Sequence, residues 1–312
     1  MIKPVKVILD TDIGPDCDDA AALSILHALA DRGEAEIVGV THCTSSPWGA
    51  GCIDAINRYH GRPDIPVGTL KETGFLDEDI YRKYNRHLAE NYPNRFEGGM
   101  DAPDAADLFR ELLAQEADHS VVMIAIGPLR NLLHLLQSGP DRHSSLDGIE
   151  LVGRKVERLV VMGGAFPSGK EWNFEMCPAS AQFVAEHWPT SIMFSGFEIG
   201  RDILTGGPLF THAPADSPVR DAYERYLGEP GSRNSWDLTA VLYGVRGLRD
   251  YWEAVTGGSV QVAADGETIW HDTADKGHSY LVQRMDPETM RELLDELLVS
   301  RYGDGDLQRW QK

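Results

Sequence analysis

Five aspartates stand close together near the start of the chain, in the stretch VKVILDTDIGPDCDDAAAL. They are Asp10, Asp12, Asp16, Asp18 and Asp19. Carboxylates crowded together repel one another, and burying them without partners costs free energy. A hard divalent cation bound by several carboxylate oxygens would offset both costs. The spacing therefore predicts a metal site at the end of an apolar strand.

Two simpler explanations account for less of this stretch. The N-terminus of a helix favours acidic side chains, which explains the last two aspartates but not those that end the apolar strand. An EF-hand loop starting at Asp10 needs glycine where Pro15 stands and glutamate where Ala21 stands, so that pattern fails.

The rest of the chain predicts the elements that must position these carboxylates. Short apolar runs such as VKVILD, AEIVGVTHC and PTSIMFSGFEIG alternate with segments of helical periodicity. This alternation predicts an α/β fold with an open, mostly parallel, Rossmann-like sheet and helices on both faces. In such sheets ligands bind beyond the carboxyl ends of the strands.

The sequence predicts one domain over residues 1–312. A polar, weakly periodic segment around 70–106 is expected to be an insertion over the sheet edge. A hairpin with an Asp-Gly turn and a closing helix are expected over 258–302, with Asp286 as the N-cap and Pro287 in the first turn.

Composition restricts the class of partner. The chain has 29 lysines and arginines against 49 aspartates and glutamates, a formal net charge of -20. That balance argues against nucleic acid and against an anionic membrane surface. No stretch is long and apolar enough to span a bilayer, and the N-terminal residues do not resemble a signal peptide. The four cysteines form neither a C-x-x-C pair nor a zinc spacing, so a cytoplasmic location is expected.

Several motifs in order resemble one known family. ILDTDIGPDCDDAAAL resembles the signature of the inosine-uridine-preferring nucleoside hydrolases, D-x-D-x-G-x-D-D-x-x-A-L, with two extra residues before the Asp-Asp pair. AIGPLRNL resembles the family's G-P-L-T-N turn, VVMGGAF its V-M-G-G strand end, and EWNFE its E-F-N motif. NSWDLTAVL stands where the family has its last metal aspartate at the start of a helix.

The resemblance implies the nucleoside hydrolase fold, a bound calcium ion (Ca2+) and hydrolysis of the N-glycosidic bond of ribonucleosides to ribose and free base. It implies Asp12 as the general base. The implied metal ligands are Asp12, Asp19, the carbonyl of Ile126, and Asp237. The residues implied to contact the substrate are Asp18, Glu171, Asn173 and Met162. Trp236, which precedes the last metal aspartate, is a further candidate for substrate contact. Assembly as a homodimer or homotetramer and a role in nucleoside salvage are expected by resemblance only.

The chain departs from the family pattern on the side of the leaving base. In many members a histidine that assists the leaving base precedes the last metal aspartate, and here Trp236 stands in its place. Two interpretations stay open: Trp236 stacks on a purine base, or it packs in the core beside the metal ligand. A family asparagine that contacts ribose has no counterpart after the second strand, where Ser45 or Ser46 stands instead.

These departures leave alternatives to the hydrolase interpretation. One is a non-catalytic, metal-stabilised relative that binds a ribosyl ligand, and another is a hydrolase of a different N-ribosylated compound. Retention of the aspartates at 12, 19 and 237 favours an enzyme. Weaker candidates for pocket residues are His42, Cys177, Glu198, Arg201 and the stretch HDTADKGH, each of which has an equally good structural explanation.

Overall fold

The computed structural model describes residues 3–96, 101–273 and 276–302. Within these ranges the strands, in chain order, are β1 (Val5–Thr11), β2 (Ala35–His42), β3 (Val67–Thr69), β4 (Val121–Ala125), β5 (Val156–Met162), β6 (Ser168–Gly169), β7 (Ser191–Ser195), β8 (Leu204–Thr205), β9 (Arg233–Asn234), β10 (Trp252–Val262), β11 (Thr268–His271) and β12 (His278–Gln283).

The α-helices within the same ranges are α1 (Asp18–Asp31), α2 (Gly49–Tyr59), α3 (Asn85–Asn91), α4 (Ala105–Gln115), α5 (Arg130–Gln137), α6 (Gly148–Lys155), α7 (Trp172–Met176), α8 (Pro178–His187), α9 (Phe197–Gly200), α10 (Leu209–His212), α11 (Pro218–Leu227), α12 (Trp236–Arg246) and α13 (Pro287–Val299). A short 3-10 helix covers Asp79–Tyr81.

The main sheet has the strand order β3-β2-β1-β4-β5-β7-β12-β10-β11-β6. Neighbouring strands from β3 to β12 run parallel, and the remaining edge from β12 to β6 is antiparallel. The chain leaves β1 in one direction toward β2 and β3 and returns on the other side as β4. The predicted α/β fold with an open, mostly parallel sheet is therefore confirmed.

Two apolar clusters cover the two faces of the sheet. Val7 and Leu9 of β1 belong to one cluster, together with side chains of α1, α12 and α13, whereas Ile8 belongs to the other, with α4, α5 and α8. A central strand buried on both faces needs apolar side chains at every position, which explains the unbroken run VKVIL.

The topology places several strand ends at one edge of the sheet. The parallel strands β1, β4, β5 and β7 all end there, and the order of the strands reverses between β1 and β4. At such a switch point the loops after the two strands diverge and leave a crevice. Asp12 follows β1 at this crevice, and Ile126 follows β4.

The predicted insertion and C-terminal segment contain regular structure. Of the 70–106 segment, residues 97–100 lie outside the described part, and the rest includes the Asp79–Tyr81 turn, α3 and the start of α4. The hairpin pairs β10 with β11 and begins earlier than expected, at Trp252. α13 begins after Asp286, whose carboxylate accepts from the backbone N–H groups of the first turn. The division into one domain with an insertion stays a prediction.

None of the helices in the described ranges combines the length and the apolar content needed to cross a bilayer.

Candidate active site

A cavity of about 600 Å³ opens at the carboxyl ends of the parallel strands. It brings together all nine residues that the sequence analysis assigned to the site. They are Asp12, Asp18, Asp19, Ile126, Met162, Glu171, Asn173, Trp236 and Asp237. Five segments of the chain thus contribute to one space, because each ends or follows a strand or begins a helix at the same edge of the sheet.

The floor of the cavity is a cluster of three buried carboxylates, here called the floor cluster: Asp18, Asp19 and Asp237. One oxygen from each lies within 4.8 Å of the others. Two of these residues open α1 and the third lies in the first turn of α12, and these two helices pack against each other. The backbone N–H of Asp237 donates to Asp18 Oδ2 at 3.2 Å, and Thr11 Oγ1 donates to Asp19 Oδ1.

Burial makes this cluster electrostatically unfavourable. Desolvation raises the pKa of all three floor carboxyls well above the usual range, and the neighbouring aspartates raise each pKa further. Desolvation also raises the pKa of Asp12 to about 7. Within the described residues, none of these four carboxylates forms an ion pair. A bound cation would supply the missing positive charge.

The donor set fits a hard cation. Calcium takes oxygen ligands at about 2.3–2.6 Å, so oxygens that share one ion lie within roughly 5 Å of one another, as those of the floor cluster do. The backbone after β4 also reaches the cavity at Ile126. A Cβ on the following residue, Gly127, would lie 2.7 Å from Asp12 Oδ1, so glycine is required for this close approach. The floor cluster is therefore a candidate metal site.

The resemblance assigned Asp12 to the metal and Asp18 to the ribose. The structure places Asp18 in the floor cluster and Asp12 at its border, where the Asp12 carboxyl interacts with that of Asp19. Both assignments stay predictions; the oxygens with the spacing of a metal site include one from Asp18 and none from Asp12.

Asp10 lies outside the cavity although it belongs to the same motif. Its Oδ1 accepts from Thr41 Oγ1 at 2.6 Å and from Asn131 Nδ2 at 2.8 Å, and Asn131 also donates to the carbonyl of His42 at 3.0 Å. Asp10 thus ties β1 to β2 and to α5. Its role is to hold the strands that carry the site.

One wall of the cavity, here called the polar wall, is formed by Glu171 and Asn173 in the segment after β5. The Glu171 carboxylate caps α7 and accepts from three backbone N–H groups, including that of Asn173 at 2.7 Å and that of Gly164 at 3.1 Å. Asn173 Nδ2 donates to the Met162 carbonyl at 3.1 Å. These bonds hold the two polar side chains of the EWNFE motif in fixed positions. Burial raises the pKa of Glu171 to about 7.

Another part of the cavity lining, here called the aromatic wall, consists of Trp236, Phe197, Trp172 and Tyr81. Trp236 is half-buried and lines the cavity, its Nε1 donates to the Phe197 carbonyl at 2.8 Å, and the two rings stack with centroids 5.4 Å apart. Trp172 and Tyr81 meet edge to face at 6.2 Å in the lining of the same cavity. Trp236 therefore lies in the wall of a cavity that also holds the acidic floor.

Comparison with known proteins agrees with this geometry. The family model described as "Inosine-uridine preferring nucleoside hydrolase" matches residues 7–288. The chain belongs to that family. As a member, the protein is an N-ribosyl hydrolase that cleaves the N-glycosidic bond of ribonucleosides. The resemblance noted from the sequence motifs is confirmed.

Individual relatives share the fold at low identity. The pyrimidine-specific ribonucleoside hydrolase RihA of Klebsiella pneumoniae is 28% identical over 250 residues, which cover 73% of this chain and 68% of the relative. A plant nucleoside hydrolase, the PpNRh1 enzyme, matches with a TM-score of 0.71 at 20% identity over 95% of this chain and 99% of that one. The inosine-uridine preferring nucleoside hydrolase of Bacillus anthracis matches with a TM-score of 0.71 at 16% identity, over 94% and 99%.

Sequence reasoning missed part of the lining of this nucleoside hydrolase. The lining residues to which it gave no site role include Asp16, Tyr81, Trp172, Phe197, Tyr226 and Arg233. Trp172 stands inside the EWNFE motif and Asp16 inside the first motif, so their positions were a usable indication. Arg233 and Tyr226 belong to no motif, and only the packing of the chain brings them to the cavity.

The weaker candidates are not among the lining residues of this cavity. His42 is buried between Thr69 and Thr44, whose hydroxyls lie 3.3 and 3.2 Å from its ring nitrogens. Cys177 lies 2.8 Å from Ser180 Oγ. The other candidates that do not line this cavity are Ser45, Ser46, Glu198, Arg201, His271, Asp272 and His278. Asp275, in the HDTADKGH stretch, lies outside the described residues.

Proposed function

We propose that this nucleoside hydrolase depends on calcium and that Asp12 is the general base of the reaction. The observation that carries the proposal is the position of Asp12 in the cavity wall at the border of the floor cluster. When bound at the floor cluster, calcium would orient a water molecule and make it more acidic. Asp12 would accept one proton of the attacking water as the water oxygen bonds to C1′ of the ribose. The C1′–N bond breaks, its electron pair passes to the base, and the base takes up a proton from solvent.

The ribose is held by the polar wall. Asp18, Glu171 and Asn173 offer hydrogen-bonding groups to the sugar hydroxyls, and Met162 packs beneath them. Because these side chains are already fixed by bonds to the backbone, little side-chain freedom is lost on binding. Carboxylates below the sugar ring also stabilise the positive charge that develops at C1′ as the glycosidic bond breaks.

The base leaves against the aromatic wall. Trp236, in the place of the histidine of many relatives, offers an indole ring beside that of Phe197. Aromatic rings favour stacking with a planar base, and a purine offers more surface than a pyrimidine. We infer that purine ribonucleosides are preferred, in contrast to the Klebsiella relative, which is named pyrimidine-specific.

The test is the release of reducing sugar from a panel of purine and pyrimidine ribonucleosides, with calcium and after chelation. The proposal expects release that chelation abolishes and that calcium restores. Release that survives complete chelation would exclude the calcium dependence, and a preference for uridine or cytidine would exclude the purine preference. If calcium binds but no nucleoside is cleaved, the substrate is a different N-ribosylated compound.

Cytoplasmic nucleoside salvage and assembly as a homodimer or homotetramer belong to the same proposal, and their support is family membership alone. Light scattering coupled to gel filtration at micromolar protein tests the assembly. A mass of one chain, 34.5 kDa, would exclude it.

A further inference from the structure

An arginine and an aspartate form an ion pair in the wall of the cavity, above the floor cluster. Arg233 Nε lies 3.0 Å from both carboxylate oxygens of Asp16, and its Nη2 lies 2.5 Å from Asp16 Oδ2. The two residues are 217 positions apart in the sequence. The ion pair therefore joins the loop between β1 and α1 to the segment that leads into α12.

The guanidinium group of this ion pair also packs against two aromatic rings. Its central carbon lies 5.1 Å from the centre of the Trp236 ring and 5.3 Å from that of Tyr226. A planar guanidinium can bind a carboxylate at its edge and stack on rings with its faces, which a lysine cannot do. Arg233 is thus in contact with the residue that stands in the place of the leaving-group histidine.

Asp16 is itself held in place. Its Oδ1 accepts from the backbone N–H of Cys17 at 2.7 Å, and its carbonyl accepts from the Tyr84 hydroxyl at 2.7 Å. Asp16 is one of the three residues between Gly14 and the Asp-Asp pair, where the family signature has one residue. This longer loop carries the carboxylate that binds Arg233.

The ion pair keeps a positive charge away from the floor cluster. Arginine stays protonated at any relevant pH, so an unpaired Arg233 would be attracted to the floor carboxylates and would compete with a bound cation. Asp16 provides a partner outside the floor cluster, with bidentate geometry. Both side chains are about three-quarters buried, with 28% and 24% of their surface exposed, so the ion pair is better shielded from water than a surface pair.

We propose that Asp16 and Arg233 are positioning residues that hold the Trp236 ring against the leaving base and so determine which bases the enzyme accepts. The inference rests on the proposed function, because it assumes that the base lies against the aromatic wall. The ion pair itself contacts neither the sugar nor the metal in this account. Its loss should therefore alter discrimination among bases more than binding of ribose, which the ion pair reaches only through its electrostatic interaction with Asp18.

The test compares Arg233→Gln and Asp16→Asn with the wild type and with Arg130→Gln. Arg130 is a matched control, because it binds the Glu72 carboxylate through two nitrogens at 2.7 and 2.6 Å, lies over the Phe75 ring and has 26% of its side chain exposed. It is not among the residues that line the cavity. A general loss of stability from removing an arginine that is about three-quarters buried should appear in both arginine variants.

The first measurement is kcat/KM for inosine and for uridine, with the inhibition constant of free ribose. Each Asp16 or Arg233 variant should lower the inosine-to-uridine ratio by about tenfold, the size of an aromatic contact. The ribose inhibition constant should change by less than about twofold, since the polar wall is untouched. Arg233→Lys should restore only part of the ratio, because lysine keeps the charge but not the stacking plane.

The second measurement, calorimetric binding of hypoxanthine and uracil to the calcium-loaded protein, needs no turnover. It separates this inference from the proposed function, because a change in base discrimination on Arg233→Gln would support it even in a protein that cleaves neither nucleoside. An unchanged ratio in Arg233→Gln, an equal change in Arg130→Gln, or loss of ribose inhibition together with activity would overturn it. Failure of the wild type to bind either base would also overturn it.

Discussion

Two groups of acidic side chains in this molecule have the geometry of a metal site, and they differ in what surrounds them. One is the floor cluster in the cavity. The other, here called the side cluster, consists of Asp107, Asp141 and His143. In both, one ligand-type atom from each of the three residues lies within 4.8 Å of the others. Distance alone therefore does not distinguish them.

Counter-charge distinguishes them. In the side cluster Arg110 binds Asp141 through Nε at 2.6 Å, and Arg142 binds Asp107 at 2.7 Å. The Arg110 hydrogen bond holds the pKa of the Asp141 carboxyl well below its usual range. In the floor cluster the carboxyls have no arginine partner within the described residues, and burial raises their pKa values instead. The arginines already neutralise the side cluster, whereas the floor cluster forms no ion pair within the described residues and is the better candidate for a bound cation.

The largest effect is expected from removing the general base beside the floor cluster. Asp12→Asn should lower kcat by about a thousandfold, within the range measured for general bases, while KM changes little. Asp107→Asn in the side cluster should leave both constants near the wild-type values. Steady-state kinetics with the most rapidly cleaved nucleoside measures both constants. Near-normal turnover by Asp12→Asn would show that another carboxylate is the general base.

The next effect concerns calcium and stability. Asp237→Asn should abolish the rise in thermal midpoint that calcium causes, which for a ligand at a hundred times its Kd corresponds to about 2.7 kcal/mol. Without calcium the same variant should be at least as stable as the wild type, because a neutral amide avoids the cost of either ionising or protonating a carboxyl whose pKa burial has raised.

Asp141→Asn gives the opposite pattern. It should lower the free energy of unfolding by about 1–3 kcal/mol, and the thermal midpoint with it, equally with and without calcium, because it weakens the partner of the buried Arg110. Calorimetric scans at fixed calcium concentrations check both variants. A calcium-dependent loss in Asp141→Asn would mean that the side cluster also binds the ion.

The pH dependence of stability should also distinguish the wild type from the Asp12→Asn variant. The folded pKa of Asp12, about 7, lies above its unfolded value of 3.8, so the folded state binds more protons between these limits. Without calcium, the stabilisation from Asp12 is therefore present at low pH and is lost as the pH rises toward 7. The free energy of unfolding of Asp12→Asn relative to wild type should increase over that window.

Urea denaturation of both proteins at pH 4.5 and pH 7, in chelator, measures this difference. Taking the difference cancels the opposite contribution of the buried His27, whose pKa is lowered to about 3 by desolvation and which loses stability as the pH falls below 6.5. A difference that does not depend on pH would show that Asp12 is ionised in the folded, metal-free protein.

The smallest effect is expected within the side cluster. Arg142 has 73% of its side chain exposed, so its bond to Asp107 is screened by water. Arg142→Gln should change the free energy of unfolding by less than about 0.5 kcal/mol, while Arg110→Gln, at a position with 3% exposure, should cost several times more. Equal losses in the two variants would mean that burial does not control the strength of these bonds.

Much of the fold and the floor of the site follow from local sequence. Because β1 is buried on both faces of the sheet, it requires an apolar run. The change from apolar residues to aspartates marks the end of the strand. The motifs around Glu171 and Asp237 identified two further segments of the site through family resemblance. Each of these features is contained in a few consecutive residues.

What local sequence does not contain is the pairing of distant segments. Asp10 and Asp12 are indistinguishable in the motif. Asp10 has a structural role because Thr41 and Asn131 lie within hydrogen-bonding distance of it, whereas Asp12 lines the cavity. Arg233 belongs to no motif, and its proposed role depends on its ion pair with Asp16, which is 217 positions away in the sequence. Such roles depend on the tertiary fold and become visible only there.

The hydrogen bond between the start of α12 and the start of α1 joins residues 219 positions apart. A cation bound by carboxylates from both helices would therefore close a loop that spans most of the chain. In the language of polymer physics it would act as a removable cross-link that lowers the entropy of the partly unfolded chain, much as a disulfide does. Amide protons in the first turns of both helices should then exchange more slowly in calcium, with the two helices opening as one unit.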